Sequence, residues 1–326
     1  MSFLNRCLHA VAKCLANCPV FTLGLIVSWS YYVIVFIVST GLVAQTVPTV
    51  IFIVPYHLVL FLFVWTFWKS VVSIPKPIPK EYCLNSAETI EFIECENDDD
   101  RNTLLERLVL ARSLPTTMYT CRGTIPFCDI CFLIKPDRTH HCSSCEKCIP
   151  KMDHHCPWIN NCVGYHNHKY FLLFLFYAIW YCIACFIGSL RFFSDFVKAS
   201  SFSHSSTPQG TTDVTFSGFN VFFLFVISLV FVLALILLLG FQLIILLKNK
   251  STLENFRAPR FRKSREQSGF DVGCKANFLQ VFGRKPSLWW FPVFTSEGDG
   301  FTFPVHKSDI PEDCVRLVDR TEKGFS

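Results

Sequence analysis

A chain of 326 residues with 51% apolar residues, 35 phenylalanines and a mean hydropathy of +0.38 is too apolar to be an ordinary soluble protein with a charged surface. The composition points to a membrane protein. The formal net charge of +5 is modest and gathers beside the apolar stretches, so it implies no nucleic-acid partner.

Four stretches are long enough for the roughly 20 helical residues that a hydrocarbon core demands: approximately Val20 to Leu42, Thr49 to Trp68, Tyr170 to Phe192 and Phe219 to Leu247. Arg6 and Lys13 precede the first, as in a signal peptide. Its apolar run exceeds the usual core of roughly 7 to 15 residues, however, and it lacks a small-residue cleavage site, so it reads as a retained helix. Pro55 and Gly240 fall within spans, where neighbouring helices can satisfy freed backbone groups.

Lys and Arg number 2 before the first span, 12 from Lys69 to Lys169 and 14 from Lys248 onward, with none from Val43 to Pro48 and only Arg191 and Lys198 from Arg191 to Gly218. By the positive-inside rule both termini and the central loop are cytosolic. The expected layout is a cytosolic N-terminus (1–19), two spans (20–68), a cytosolic loop (69–169), two further spans (170–247) and a small cytosolic C-terminal domain (248–326). Of 17 cysteines only Cys182 and Cys185 lie inside a span and none in a luminal loop. In a reducing compartment the clustered cysteines read as metal ligands or reactive thiols rather than disulfides. Cys182 and Cys185 read as packing residues. Cys7, Cys14 and Cys18, beside the first span, are either lipidated or plain thiols.

Within the central loop, the prolines of Ile74 to Lys80 favour an extended connector. Asp98 to Arg112 has helical spacing, with Leu104, Leu105, Leu108 and Ala111 in one stripe and Val109 at its edge. Ser200 to Thr215 reads as a luminal loop. After Leu247, apolar patches at Phe278 to Phe282 and Leu288 to Phe294 suggest a tail packed against the membrane side, with a frayed end.

Cys128 to Cys162 holds seven cysteines and four histidines, whereas a closed zinc site takes four such ligands. Cys128, Cys131, His141 and Cys148 have the spacing C-x2-C-x9-H-x6-C, and adding fourteen to each gives Cys142, Cys145, His155 and Cys162. Two zinc sites, each of three cysteines and one histidine, account for eight of the eleven. A third copy would begin at Cys156, but its next ligand position is Ile159. Cys156, His154 and His140 are left over. A thiol close to an unligated histidine that itself follows Asp153 has the composition of nucleophile, base and orienter. The alternative is a zinc scaffold that recruits proteins without catalysis.

Lys135-Pro-Asp-Arg-Thr-His-His-Cys142 and Met152-Asp-His-His-Cys-Pro-Trp-Ile-Asn-Asn-Cys-Val-Gly164 resemble the DHHC family of protein S-acyltransferases across the cysteine-rich domain, about residues 126–169. The four-span layout, Ser251-Thr-Leu-Glu254 and Asn277-Phe-Leu-Gln-Val-Phe-Gly283 are similar to the family as well. The resemblance implies an α-helical multi-pass membrane enzyme. Its cysteine takes a fatty acyl group, typically palmitoyl, from acyl-CoA and passes it to membrane-proximal cysteines of cytosolic or membrane proteins. It assigns Cys156 as nucleophile, His154 as general base and Asp153 as its orienter, with the same eight zinc ligands. It also implies an acyl cavity among the spans, with Trp158 at the mouth and Ser30 and Tyr181 at the far end. Lys135, Arg138 and Lys169 are the nearest cations for the CoA phosphates, and His140 is left undecided. Thr252 is expected to bond the aspartate, Asn277 to be structural, and Ser251, where the family has threonine, to have an open role. Asn249-Lys-Ser251 matches a glycosylation acceptor, but on the cytosolic side. The compartment is endomembrane (Golgi or ER) or plasma membrane.

Overall fold

The structure, a computed structural model, describes residues 11, 13–39, 46–202, 211–261 and 269–304. Among them, four helical segments are long and apolar enough to cross a bilayer: Lys13–Val38, Val50–Val72, His168–Leu190 and Phe216–Leu247. The end expected to fray lies largely outside the described residues.

Helix α1 (Cys18–Tyr32) carries Pro19 in its first turn, where a missing N–H breaks no helical bond. It continues into a wider turn, Val33–Val38, whose Val33, Ile34 and Val38 are buried. Helix α2 (Thr46–Val72) contains Pro55, and its Thr66 and Ser70 hydroxyls donate to carbonyls one turn back, at 2.8 and 2.9 Å, which spares unpaired polar groups. His57, the one histidine, acidic or basic residue well inside a span among the described residues, is similarly satisfied: Nε2 meets Tyr31 Oη at 3.3 Å, and Nδ1 meets the Ile53 carbonyl at 2.8 Å.

The connector after Val72 is extended, as its prolines dictate. Helix α3 (Ser86–Glu94) starts with a capping box between Asn85 and Glu88, and α4 (Asp98–Ala111) with Asn97 as N-cap. Leu104, Leu105 and Leu108 form the buried stripe. Ala111, expected to join it, is exposed because the helix ends there, and the chain folds back to bury Leu114 in the same cluster.

Short strands follow: β1 (Met118–Tyr119), then three antiparallel hairpins formed by β2 (Phe127–Cys128) with β3 (Leu133–Ile134), β4 (His140–Cys142) with β5 (Lys147–Ile149), and β6 (His154–Cys156) with β7 (Asn161–Val163). They lead into α5 (His168–Phe202). In its most apolar window 61% of α5 is buried, against 17–22% for the other spans, so α5 is the hub of the bundle. Helix α6 is Thr211–Leu247. Within the stretch expected as a Ser/Thr-rich loop, residues 200–202 and 211–215 are thus helical, and 203–210 lie outside the described residues. Extending an established helix costs far less than nucleating one, so helical structure outruns the apolar core.

The tail returns to the hairpins. After α7 (Thr252–Phe256), β8 (Arg260–Phe261) pairs with β1, and α8 (Cys274–Phe282) packs on α5 and α6. Buried Asn277 donates to the Leu247 carbonyl at 2.7 Å and to Asp271 at 2.6 Å, and accepts from the Val272 amide at 3.1 Å, fixing the start of α8 to the end of α6.

Candidate active site and metal centres

The fourteen-residue sequence repeat is a repeat of hairpins. Phe127 faces Ile134, His141 faces Cys148 and His155 faces Cys162, each pair fourteen residues after the last. Each turn contains a non-glycine residue in the left-handed region at the same register: Phe132 (φ 48°), Glu146 (φ 54°) and Asn160 (φ 43°). Cys128, Cys142 and Cys156 occupy equivalent positions. In the first two hairpins that cysteine and the one three residues on are joined by the histidine and cysteine of the next hairpin. Cys156 belongs to the last hairpin, which has Ile159 at the second position and, among the described residues, no hairpin after it. The repeat therefore ends in a free thiol.

The eight ligand atoms form two groups, Cys128, Cys131, His141, Cys148 and Cys142, Cys145, His155, Cys162, each with its atoms within 4.8 Å of one another. Sulfur to histidine Nδ1 distances are 3.5, 3.3 and 3.8 Å in the first and 3.6, 3.4 and 3.6 Å in the second. A tetrahedron with Zn–S near 2.3 Å and Zn–N near 2.0–2.1 Å has an S···N edge of about 3.6 Å. Three soft sulfurs and an imidazole at that spacing suit zinc. Metal there would brace the hairpins, since structural zinc binding is folding free energy.

At the end of the repeat, His154 Nδ1 lies 2.6 Å from Asp153 Oδ2, and the Cys156 thiol is near enough to influence the imidazole. Asp153 is 1% exposed. Its carboxylate accepts from the Thr252 amide at 2.7 Å, from the Thr252 hydroxyl at 2.8 Å and from Gln242 Nε2 at 3.4 Å. Burial alone would raise the Asp153 pKa, but these bonds and the neighbouring imidazole hold it below the usual carboxylate range. Burial alone would lower the His154 pKa; the bond to Asp153, the neighbouring Cys156 thiol and the carboxylate charge outweigh it and hold it up at about 9. A folded-state pKa above the ordinary 6.5 stabilises the fold fully below that value and ceases to do so as pH rises through about 9. The melting temperature of the wild type should therefore exceed that of His154→Gln most near pH 6, with the gap narrowing toward pH 9 in a thermal-shift series.

Gln242 lies outside the set of residues expected from the sequence. It bonds both Asp153 and Thr252 Oγ1 (3.2 Å) and is 2% exposed, so α6 as well as α7 anchors the carboxylate. Its sequence signal was an amide inside a long apolar helix, and such groups are retained for a partner.

Cys156 and His154 open onto an apolar cavity of about 560 Å³, within the roughly 300–1,000 Å³ that encloses a drug-sized ligand. Leu23 and Val27 of α1, Phe171 and Phe174 of α5, and Leu235 and Leu238 of α6 line it. Trp158, 47% exposed, stands beside Cys156 at one end. Tyr181 lies thirteen residues along α5 from His168, about 20 Å of helical rise away from the hairpins. Its hydroxyl meets Ser30 at 2.8 Å and Tyr56 at 3.2 Å. Tyr56, a third hydroxyl in this group, had no distinguishing sequence signal. Cys182 and Cys185 form part of the wall.

Two of the three cations expected at the CoA phosphates are committed elsewhere. Arg138 is 1% exposed; Nε and Nη2 donate to Glu254 at 2.7 and 2.6 Å, and Nη1 and Nη2 to Asn249 at 2.9 and 2.7 Å. Its guanidinium lies 4.7 Å from the ring of Phe270 and 5.0 Å from that of Phe303. Lys169, 2% exposed, spends its ammonium on the Leu288 and Val293 carbonyls and Thr295 Oγ1, at 2.8, 3.1 and 2.9 Å. Both hold the tail. Lys135 alone is partly exposed, with no side-chain bond among the described residues. His140 sits near Lys135, Arg138 and Glu254, and burial lowers its pKa. Ser251 is the N-cap of α7: its hydroxyl accepts from the Glu254 amide at 3.2 Å, and the Glu254 carboxylate accepts from the Ser251 amide at 2.8 Å. Either hydroxyl residue meets that need. Asn249 is 4% exposed, and its amide nitrogen donates to the Phe270 carbonyl and Gln280 of the tail, which closes it to glycosylation.

The sequence profile of the DHHC palmitoyltransferase family matches residues 123–259, the hairpins through α7. Palmitoyltransferase ZDHHC20-A of Danio rerio is 40% identical over 318 residues, 97% of this chain and 85% of that protein. Palmitoyltransferase ZDHHC15 of Xenopus laevis is 38% identical over 93% of this chain and 86% of its own length, and palmitoyltransferase ZDHHC2 of Mus musculus 41% over 88% and 75%. With the repeated hairpins, the free Cys156 and the four spans, these likenesses establish that the chain belongs to the DHHC palmitoyltransferase family.

Proposed function

We propose that this chain, a protein S-acyltransferase by its family, works by autoacylation of Cys156 from a long-chain acyl-CoA, followed by transfer to membrane-proximal cysteines of cytosolic or membrane proteins. The observation that carries this is the continuity of the Asp153–His154–Cys156 array with an apolar cavity among the spans. A fatty chain gains about 0.8 kcal/mol per buried CH2 and belongs in such a cavity. His154, held by Asp153, takes the Cys156 proton; the thiolate attacks the thioester carbonyl and CoA leaves as thiol. An acceptor thiolate then attacks the Cys156 thioester, and Cys156 leaves. The eight cysteine and histidine ligands would hold two zinc ions, which would supply the rigidity that keeps Cys156 at the cavity mouth. Lys135 is the remaining cation for the CoA phosphates, and Trp158 walls the mouth. The charge pattern supports hairpins and tail on the cytosolic side of an endomembrane or plasma membrane.

Without an acceptor, a two-step enzyme releases a burst of free CoA of about one per chain and then turns over slowly. Stopped-flow thiol detection on purified protein should show that burst. A non-enzymatic zinc recruitment module gives none, and its absence would overturn the proposal. The far end of the cavity supports a role in chain length: Tyr181→Ala should favour longer acyl chains and Ser30→Phe shorter ones, by several-fold in a competition between acyl-CoAs. Unchanged preference in both variants would remove these residues from that role.

A further inference from the structure

We propose that Cys14 and Cys18 are acyl acceptors, modified in trans by Cys156 of a second copy of this chain, a step that rests on the thioester chemistry proposed above. Both thiols are exposed and lie at the start of the first span. Four residues apart, they stack on one helix face. That face continues through Phe21 and Leu25, 70% and 72% exposed, so an acyl chain on either sulfur has an apolar stripe to lie along as it enters the bilayer.

Depth favours the reaction. Asn160 Nδ2 donates to Asn17 Oδ1 at 2.8 Å, which ties the turn carrying Cys14 and Cys18 to a residue four beyond Cys156. The acceptor thiols therefore lie near the level of the reacting thiol, and two copies sharing one membrane orientation bring donor and acceptor together by lateral diffusion. Facing favours trans over cis. Leu23, Val27 and Ser30 point into the cavity. At about 100° per residue, Cys14, Cys18, Phe21 and Leu25 lie on roughly the opposite side of the helix. A helix diameter thus separates these thiols from their own Cys156.

The step balances. An acceptor thiol loses its proton to His154 of the donor copy, and its sulfur attacks the carbonyl carbon of the Cys156 thioester. The new C–S bond forms as the bond to Cys156 breaks, and Cys156 leaves as a thiolate that recovers the proton. Acyl-CoA recharges the donor.

The test uses two differently tagged full-length copies in proteoliposomes with an alkyne-bearing long-chain acyl-CoA. The acceptor copy carries Cys156→Ser; the donor is wild type. Hydroxylamine-labile label should appear on the acceptor only when donor is present, and Cys14→Ser with Cys18→Ser in the acceptor should lower it at least tenfold. Zinc content of two per chain in every acceptor verifies folding. Label that persists in the doubly changed acceptor, or a labelled donor beside an unlabelled acceptor, overturns the inference while leaving the Cys156 reading intact. An unlabelled donor overturns both.

Discussion

A Cys156→Ser chain should acquire no hydroxylamine-labile acyl group from a long-chain acyl-CoA, a loss of at least about a thousandfold in labelling rate, and should still hold two zinc ions. The combination follows from where the repeat stops. Cys156 occupies the position that Cys128 and Cys142 fill as ligands, yet no further hairpin supplies the histidine and cysteine that would complete a third site. Serine preserves the shape of the side chain while removing the sulfur. Cys162→Ser, one hairpin strand away, should behave in the opposite manner. It removes a ligand from a site bridging two hairpins, so zinc content falls and the fold is lost with it. Metal analysis beside labelling separates the two residues. Zinc loss in Cys156→Ser would refute the ligand partition.

The second large effect is expected far from the thiol. Arg138→Met leaves the Glu254 carboxylate buried at 3% exposure without its cation, and breaking such a pair costs about 3–5 kcal/mol. That is a large part of the stability of a typical domain. The damage should also reach the chemistry. Glu254 closes the capping box of α7, and α7 begins with Thr252, which gives Asp153 two hydrogen bonds. We expect Arg138→Met to lower both the melting temperature and Cys156 labelling. Arg138→Met with Glu254→Leu should recover much of the stability, because no unpaired charge remains. Full stability in the single variant, read by thermal denaturation in detergent, would show that the pair does not hold the tail.

The same pair shows where reading the chain stops. The spans and the ligand partition were legible because each rests on local regularity: apolar runs of spanning length, and one spacing repeated at a fixed offset. Arg138 and Lys169 looked like phosphate-binding cations because sequence shows a charge beside a motif but not what covers it. Their partners, Glu254 and Leu288 to Thr295, lie more than a hundred residues away. Only the folded tail brings them together. Ser251 was ambiguous for a related reason: as an N-cap it needs any short hydroxyl, so its departure from threonine carries no penalty. Gln242 was visible as an amide in an apolar helix, but its target, Asp153, sits on another element. Ala111 failed by a single residue, since periodicity does not say where a helix ends.

The most direct measurement is intact-protein and peptide mass spectrometry of the purified chain after brief exposure to palmitoyl-CoA. One palmitoyl group per chain is expected in the first turnover, on the peptide containing Cys156, removable by neutral hydroxylamine and absent from Cys156→Ser. A first-turnover acyl group on any other cysteine, or none while two zinc ions are bound, would contradict it.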